Sequence, residues 1–160
     1  MASQRLTDAI VLGASFSEAC QPWLARSSVL VISLPAANTI PILVIEDNPD
    51  TLLLYQRYLS GTVYRIHTAP SSEVRQAIAE YQPAALLLDI MMPDHNGWDV
   101  LIEVRQDPAT ADIPVLVCSV LGDSDIAVGL GATLYRQKPI SRQELLAALD
   151  QLTAAWPNPR

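Results

Sequence analysis

Cysteine is scarce in this chain: Cys20 and Cys118 are the two among 160 residues. Cys118 falls inside the apolar run Val115-Leu116-Val117-Cys118, which predicts a buried, inert thiol in a reducing cytoplasm rather than a disulfide or a metal ligand. Long hydrophobic runs are absent too. Half the residues are hydrophobic, yet no stretch reaches the ~18 to 20 residues that a membrane span needs. The opening Met1-Ala2-Ser3-Gln4-Arg5 leads into no apolar core of the signal-peptide type. No membrane association and no export are expected, which leaves the cytoplasm. Basic charge is in deficit, with 10 Lys and Arg against 17 Asp and Glu for a net −7, so no direct nucleic-acid contact is expected. The two histidines, His67 and His95, lack ligand partners at useful spacing. The three tryptophans, Trp23, Trp98 and Trp156, are dispersed and imply no cofactor, and Trp98 is expected to lie partly exposed at the start of its helix.

What the chain does have is an alternation of strand and helix signals. Ile42-Leu43-Val44-Ile45 and Ala84-Ala85-Leu86-Leu87-Leu88 are near-continuous apolar runs followed by turn signals, the pattern of parallel strands buried on both faces. From Ile40 onward such units recur five times, which predicts an α/β fold with a doubly wound parallel sheet. Strands are expected over Ile40–Asp47, Val63–Ala69, up to Asp89, Ile113–Ser119 and Thr133–Arg136. Asn48 reads as a helix N-cap with Pro49 at the first helical position, Ser71 as the cap of the second helix, and Ser141-Arg142-Gln143-Glu144 as a capping box. The fourth helix, between Leu121 and Gly131, is expected to be short and weakened by Gly129 and Gly131.

Residues 1–39 stand outside this count. They read as a partial β-α-β segment with a linker at Pro35-Ala36-Ala37-Asn38-Thr39. Two explanations stay open: a truncated, degenerate copy of the same architecture, or short strands alike by composition alone. The expected organisation is thus an N-terminal segment over 1–39, a main domain over 40–155 and a tail over 156–160. No output domain is expected after it, so the chain reads as a stand-alone regulator or a piece of a larger protein.

Chemistry is expected where the strands end, because ligands of open α/β sheets sit outside the carboxyl ends of their strands. Glu46, Asp47 and Asp89 all fall there. Crowded carboxylates repel unless a cation joins them, and oxygen-only ligands favour Mg²⁺.

Four segments, in order, carry a family resemblance: Leu43-Val44-Ile45-Glu46-Asp47-Asn48, then Leu87-Leu88-Asp89-Ile90-Met91-Met92-Pro93 with Gly97, then Pro114-Val115-Leu116-Val117-Cys118-Ser119, and Lys138-Pro139-Ile140. From about Ile40 to Leu152 the chain resembles the receiver domain of bacterial two-component response regulators. The resemblance implies a flavodoxin-like, CheY-like sheet in the order 2-1-3-4-5 and a phosphorelay role, with a sensor histidine kinase or phosphotransfer protein as partner and possible homodimer formation. It implies that Asp89 accepts the phosphoryl group and that Mg²⁺ is held by Asp47, Asp89, the Met91 carbonyl and Glu46, the last directly or through water. Lys138 would face the phosphoryl oxygens, Ser119 would offer its hydroxyl, and Tyr135 would be the switch aromatic. The implied chemistry is self-modification only, not enzymatic turnover. Met91 and Leu121, two residues beyond Asp89 and Ser119, are apolar where the family tunes phosphoryl loss, so a long-lived phospho-Asp89 is expected. The rival reading is a phosphorylation-independent pseudo-receiver that docks proteins. A phosphatase using an aspartyl nucleophile is a third, disfavoured because Met91 stands where its second acid belongs.

Overall fold

The computed structural model describes residues 39–93 and 96–156. The readings made above for residues 1–38, for Asp94 and His95, and for the end of the tail lie outside the described residues. The unit beginning at Ile40 contains five parallel strands: β1 (Ile40–Ile45), β2 (Tyr64–Thr68), β3 (Ala85–Asp89), β4 (Val115–Ser119) and β5 (Leu134–Gln137). Their order is β2-β1-β3-β4-β5, every neighbouring pair being parallel. The connecting helices are α1 (Pro49–Leu59), α2 (Val74–Tyr81), α3 (Gly97–Gln106), α4 (Ser124–Gly129) and α5 (Arg142–Thr153).

The apolar runs bury both faces of the central strands, and the period of two sorts their side chains. Leu43, Ile45, Leu86, Leu88, Val115 and Val117 pack against α2, α3 and Ala127 of α4. Their neighbours Ile42, Val44, Ala85, Leu87, Leu116 and Cys118 pack against Tyr55 and Leu59 of α1 and the Leu145, Leu149 and Leu152 stripe of α5. Cys118 is buried as expected, and burial pushes its thiol up to about 12. Among the described residues no helix is long and apolar enough to cross a membrane.

Local chemistry sets the helix starts. The Asn48 side chain accepts from the Asp50 and Thr51 amides, and Pro49 follows it. Ser141 and Glu144 form the reciprocal capping box. The Ser71 expectation is corrected. Residues Ser71–Glu73 form a separate 3₁₀ turn, Pro70 stands before it, and no side chain caps α2. Strand limits also shift. β1 ends at Ile45, which leaves Glu46 and Asp47 on the following loop, and Thr133 stays out of β5 because its hydroxyl accepts the Val115 amide.

One guanidinium fastens the base of the molecule. Arg105 donates to the carbonyls of Ala111, Ile113 and Gly131, tying α3 to the loops on either side of β4 and α4. Gly131, at φ +98°, makes the turn that α4 requires, a backbone region that side chains disfavour.

Candidate phosphoryl-accepting site

The loop after β1 and the end of β3 bring three carboxylates together. Glu46, Asp47 and Asp89 each place a carboxylate oxygen within 4.8 Å of the others. Asp47 is exposed, whereas Glu46 and Asp89 are buried. Lys138 reaches across from the end of β5, and its Nζ donates to Glu46 Oε2 and to Asp89 Oδ2, each at 2.6 Å. The other two oxygens take backbone donors, Asn48 N–H to Glu46 Oε1 at 3.1 Å and Met91 N–H to Asp89 Oδ1 at 2.9 Å. Burial works against the Lys138 charge, but the hydrogen bonds to Asp89 and Glu46 outweigh it and hold the ammonium above its ordinary pKa. Burial pushes the Glu46 carboxyl up, and Lys138 only partly pulls it back.

The Lys138-Pro139 bond is cis. The Lys138 N–H donates to the Ser119 carbonyl at 2.8 Å, so the end of β4 and the lysine are directly bonded. Ser119 is 1% exposed and its hydroxyl accepts the Leu121 amide at 3.2 Å. Tyr135 is not brought to the carboxylates. It lies two positions below Gln137 on β5, pairs with Val117 and packs on the α2–α4 side of the sheet. Its hydroxyl is buried with no partner among the described residues.

The loop after β3 is pinched by a bridge between Met91 and Asn96, and the Gly97 amide donates to the Ile90 carbonyl. A Cβ on Gly97 would overlap the Asp89 carbonyl oxygen and the Ile90 Cα, so only glycine permits this approach. Trp98 is partly exposed, as expected. A cleft of about 430 Å³ opens from Glu46 and Asp47 toward Thr68, Ser71 and Met92.

This donor set fits a hard divalent cation. All the side-chain ligands are carboxylate oxygens, one of them is solvent-facing, and their three charges meet one compensating ammonium. Among the described residues, no sulfur or imidazole joins the cluster.

Residues 42–150 match the family described as the response regulator receiver domain. The chain belongs to that family. Among curated relatives it is similar to the transcriptional regulatory protein GltR of Pseudomonas aeruginosa, at 31% identity over 73% of this chain and 50% of that protein. It is also similar to the DNA-binding dual master transcriptional regulator RpaA of Synechocystis, at 36% identity over 69% of this chain and 48% of the relative. The chain thus spans about half the length of these relatives. Among solved structures, a response regulator from Chloroflexus aurantiacus matches with a TM-score of 0.66 and 28% identity, covering 72% of this chain and 98% of that one. The receiver architecture and strand order expected from the sequence are therefore those of the protein. Three contributors escaped the sequence reading: the Asn48 and Met91 amides that hold the carboxylates, and the buried Tyr55. An asparagine after two acids signals only a helix cap.

Proposed function

We propose that the receiver domain takes a phosphoryl group on Asp89 from the phosphohistidine of a sensor kinase or phosphotransfer protein in the cytoplasm. The observation that carries this reading is the Lys138 ammonium 2.6 Å from both Asp89 and Glu46, beside the exposed Asp47. One Asp89 oxygen attacks phosphorus; a P–O bond forms as the P–N bond breaks, its electron pair stays on the ring nitrogen, and the imidazole leaves neutral, keeping the proton already on its other nitrogen. Met91 N–H holds the other oxygen, which fixes the carboxylate's orientation during attack. Lys138 carries its charge toward the phosphoryl oxygens as they approach. Asp47, Asp89 and the Met91 carbonyl, with Glu46 directly or through water, would hold Mg²⁺, whose charge offsets both the carboxylates and the phosphoryl group.

Once phosphorylated, Asp89 presents oxygens that the Ser119 hydroxyl can reach by giving up its bond from Leu121, and Tyr135 repacks in response. The chain turns over no external substrate; it modifies itself and relays the state. Labelling with acetyl phosphate tests the assignment. Incorporation is expected with Mg²⁺ and none in Asp89→Asn, and a variant that still labels refutes it.

A further inference from the structure

Tyr55 is 1% exposed, and its hydroxyl has no hydrogen-bond partner among the described residues. An orphaned buried phenol is destabilising, so its position calls for an account. Side chains of a helix lean toward its N-terminus, and the N-terminal end of α1 is the edge that carries Glu46 and Asp47. Tyr55 packs on the α1–α5 side of the sheet together with Leu87 and Cys118. Asp89 follows Leu87 by two residues and therefore shares that face. It also pairs in register with Cys118. The phenol thus rises under the acid cluster, within electrostatic reach of Cys118, Glu46 and Asp89, and burial holds it protonated well above the usual phenol range. Among the described residues this donor faces no acceptor except the weakly accepting Cys118 sulfur.

The rim above has donors only for its unmodified state. Each oxygen of Glu46 and Asp89 accepts one hydrogen bond, and Lys138 supplies two of the four. An arriving phosphoryl group adds oxygens that draw the same ammonium away from Glu46, and a metal that engages one Glu46 oxygen, directly or through water, leaves the other buried oxygen short of a donor. We infer that Tyr55 is a positioning residue for the phosphorylated form, its hydroxyl being the donor that takes over Glu46 when Lys138 turns to the phosphoryl group. This rests on Asp89 being the acceptor. Nothing about the unmodified fold needs the hydroxyl, so the residue's value should appear only when the site is loaded.

The experiment compares wild type with Tyr55→Phe by calorimetric titration with beryllofluoride at fixed Mg²⁺, and by thermal unfolding with and without it. Removing an unsatisfied hydroxyl leaves the unloaded melting temperature equal or higher. Losing a donor to a charged acceptor weakens apparent beryllofluoride affinity by about 10- to 150-fold. The sign difference between the two states is the signature that a packing role would not produce. Equal affinity in the two proteins, or a melting temperature lowered by the same amount in both states, overturns the assignment to Tyr55 alone. No binding by wild type overturns the phosphoacceptor reading and this inference with it.

Discussion

At the scale of single residues, Lys138 decides the electrostatics of the rim. Among the described residues its ammonium is the one cation bonded to Glu46 and Asp89, whose side chains are only 2% and 6% exposed. On the proposed reading it competes with a metal for the same oxygens and serves the phosphoryl group. Lys138→Ala should therefore act in opposite directions on two measurements. Phosphorylation by acetyl phosphate should slow by about 100-fold or more, the scale of losing one donor to a developing oxyanion, while calorimetric Mg²⁺ affinity should rise. Met91 and Leu121 stand where the family resemblance places control of the step afterwards. Their side chains, 50% and 38% exposed, can hold no water by hydrogen bonding, so phospho-Asp89 should persist far beyond seconds when the labelled protein is chased, and Met91→Asn should shorten its life. None of these partnerships has a spacing signal. Lys138 lies 92 residues from Glu46 and 49 from Asp89, and only the resemblance to a family joined them. Tyr55 left a fainter trace, an amphipathic residue at a helix position that faces the core.

At the scale of elements, the strands were legible because burial on both faces writes itself as unbroken apolar runs, as in Ile42–Ile45. Caps were legible where the side chain does the capping, as at Asn48 and Ser141. Ser71 misled because its type suits a cap while Pro70 occupies the preceding position and a 3₁₀ turn intervenes. The short α4 followed from Gly129 and Gly131, and its exposed Ile126 and Val128 show how little of it is packed. The loop between β3 and α3 depends on Gly97 in a way that sequence alone understates. Gly97→Ala must push the backbone off Asp89 and Ile90, so we expect destabilisation by about 1 to 3 kcal/mol, the range of forced overpacking, together with weakened phosphorylation. Urea unfolding and acetyl-phosphate labelling of the same preparation measure the two effects, and a loss of labelling without a loss of stability would place the damage at the acceptor alone.

At the scale of the whole molecule, the sheet order places every chemical group on one edge while Arg105 secures loops that flank β4 and α4. That arrangement makes site occupancy a stability variable. On the proposed reading, Mg²⁺ held by the folded carboxylate cluster and not by the unfolded chain should raise the melting temperature, with about 2.7 kcal/mol gained at a hundredfold excess over its dissociation constant. Sodium at matched ionic strength should not reproduce the gain, EDTA should reverse it, and Asp47→Asn should diminish it. The five-unit count, the doubly wound topology and the acid edge were readable because each follows from periodicity and from where strands stop. Which loop oxygen faces which donor was not, because that depends on contacts between distant segments. The amide of Lys138 bonded to the carbonyl of Ser119 has one more consequence. Because the two groups proposed to meet the phosphate are joined by this main-chain bond, a pull on the serine should also tug the lysine's backbone, giving the pocket an exit for its message besides the side chains.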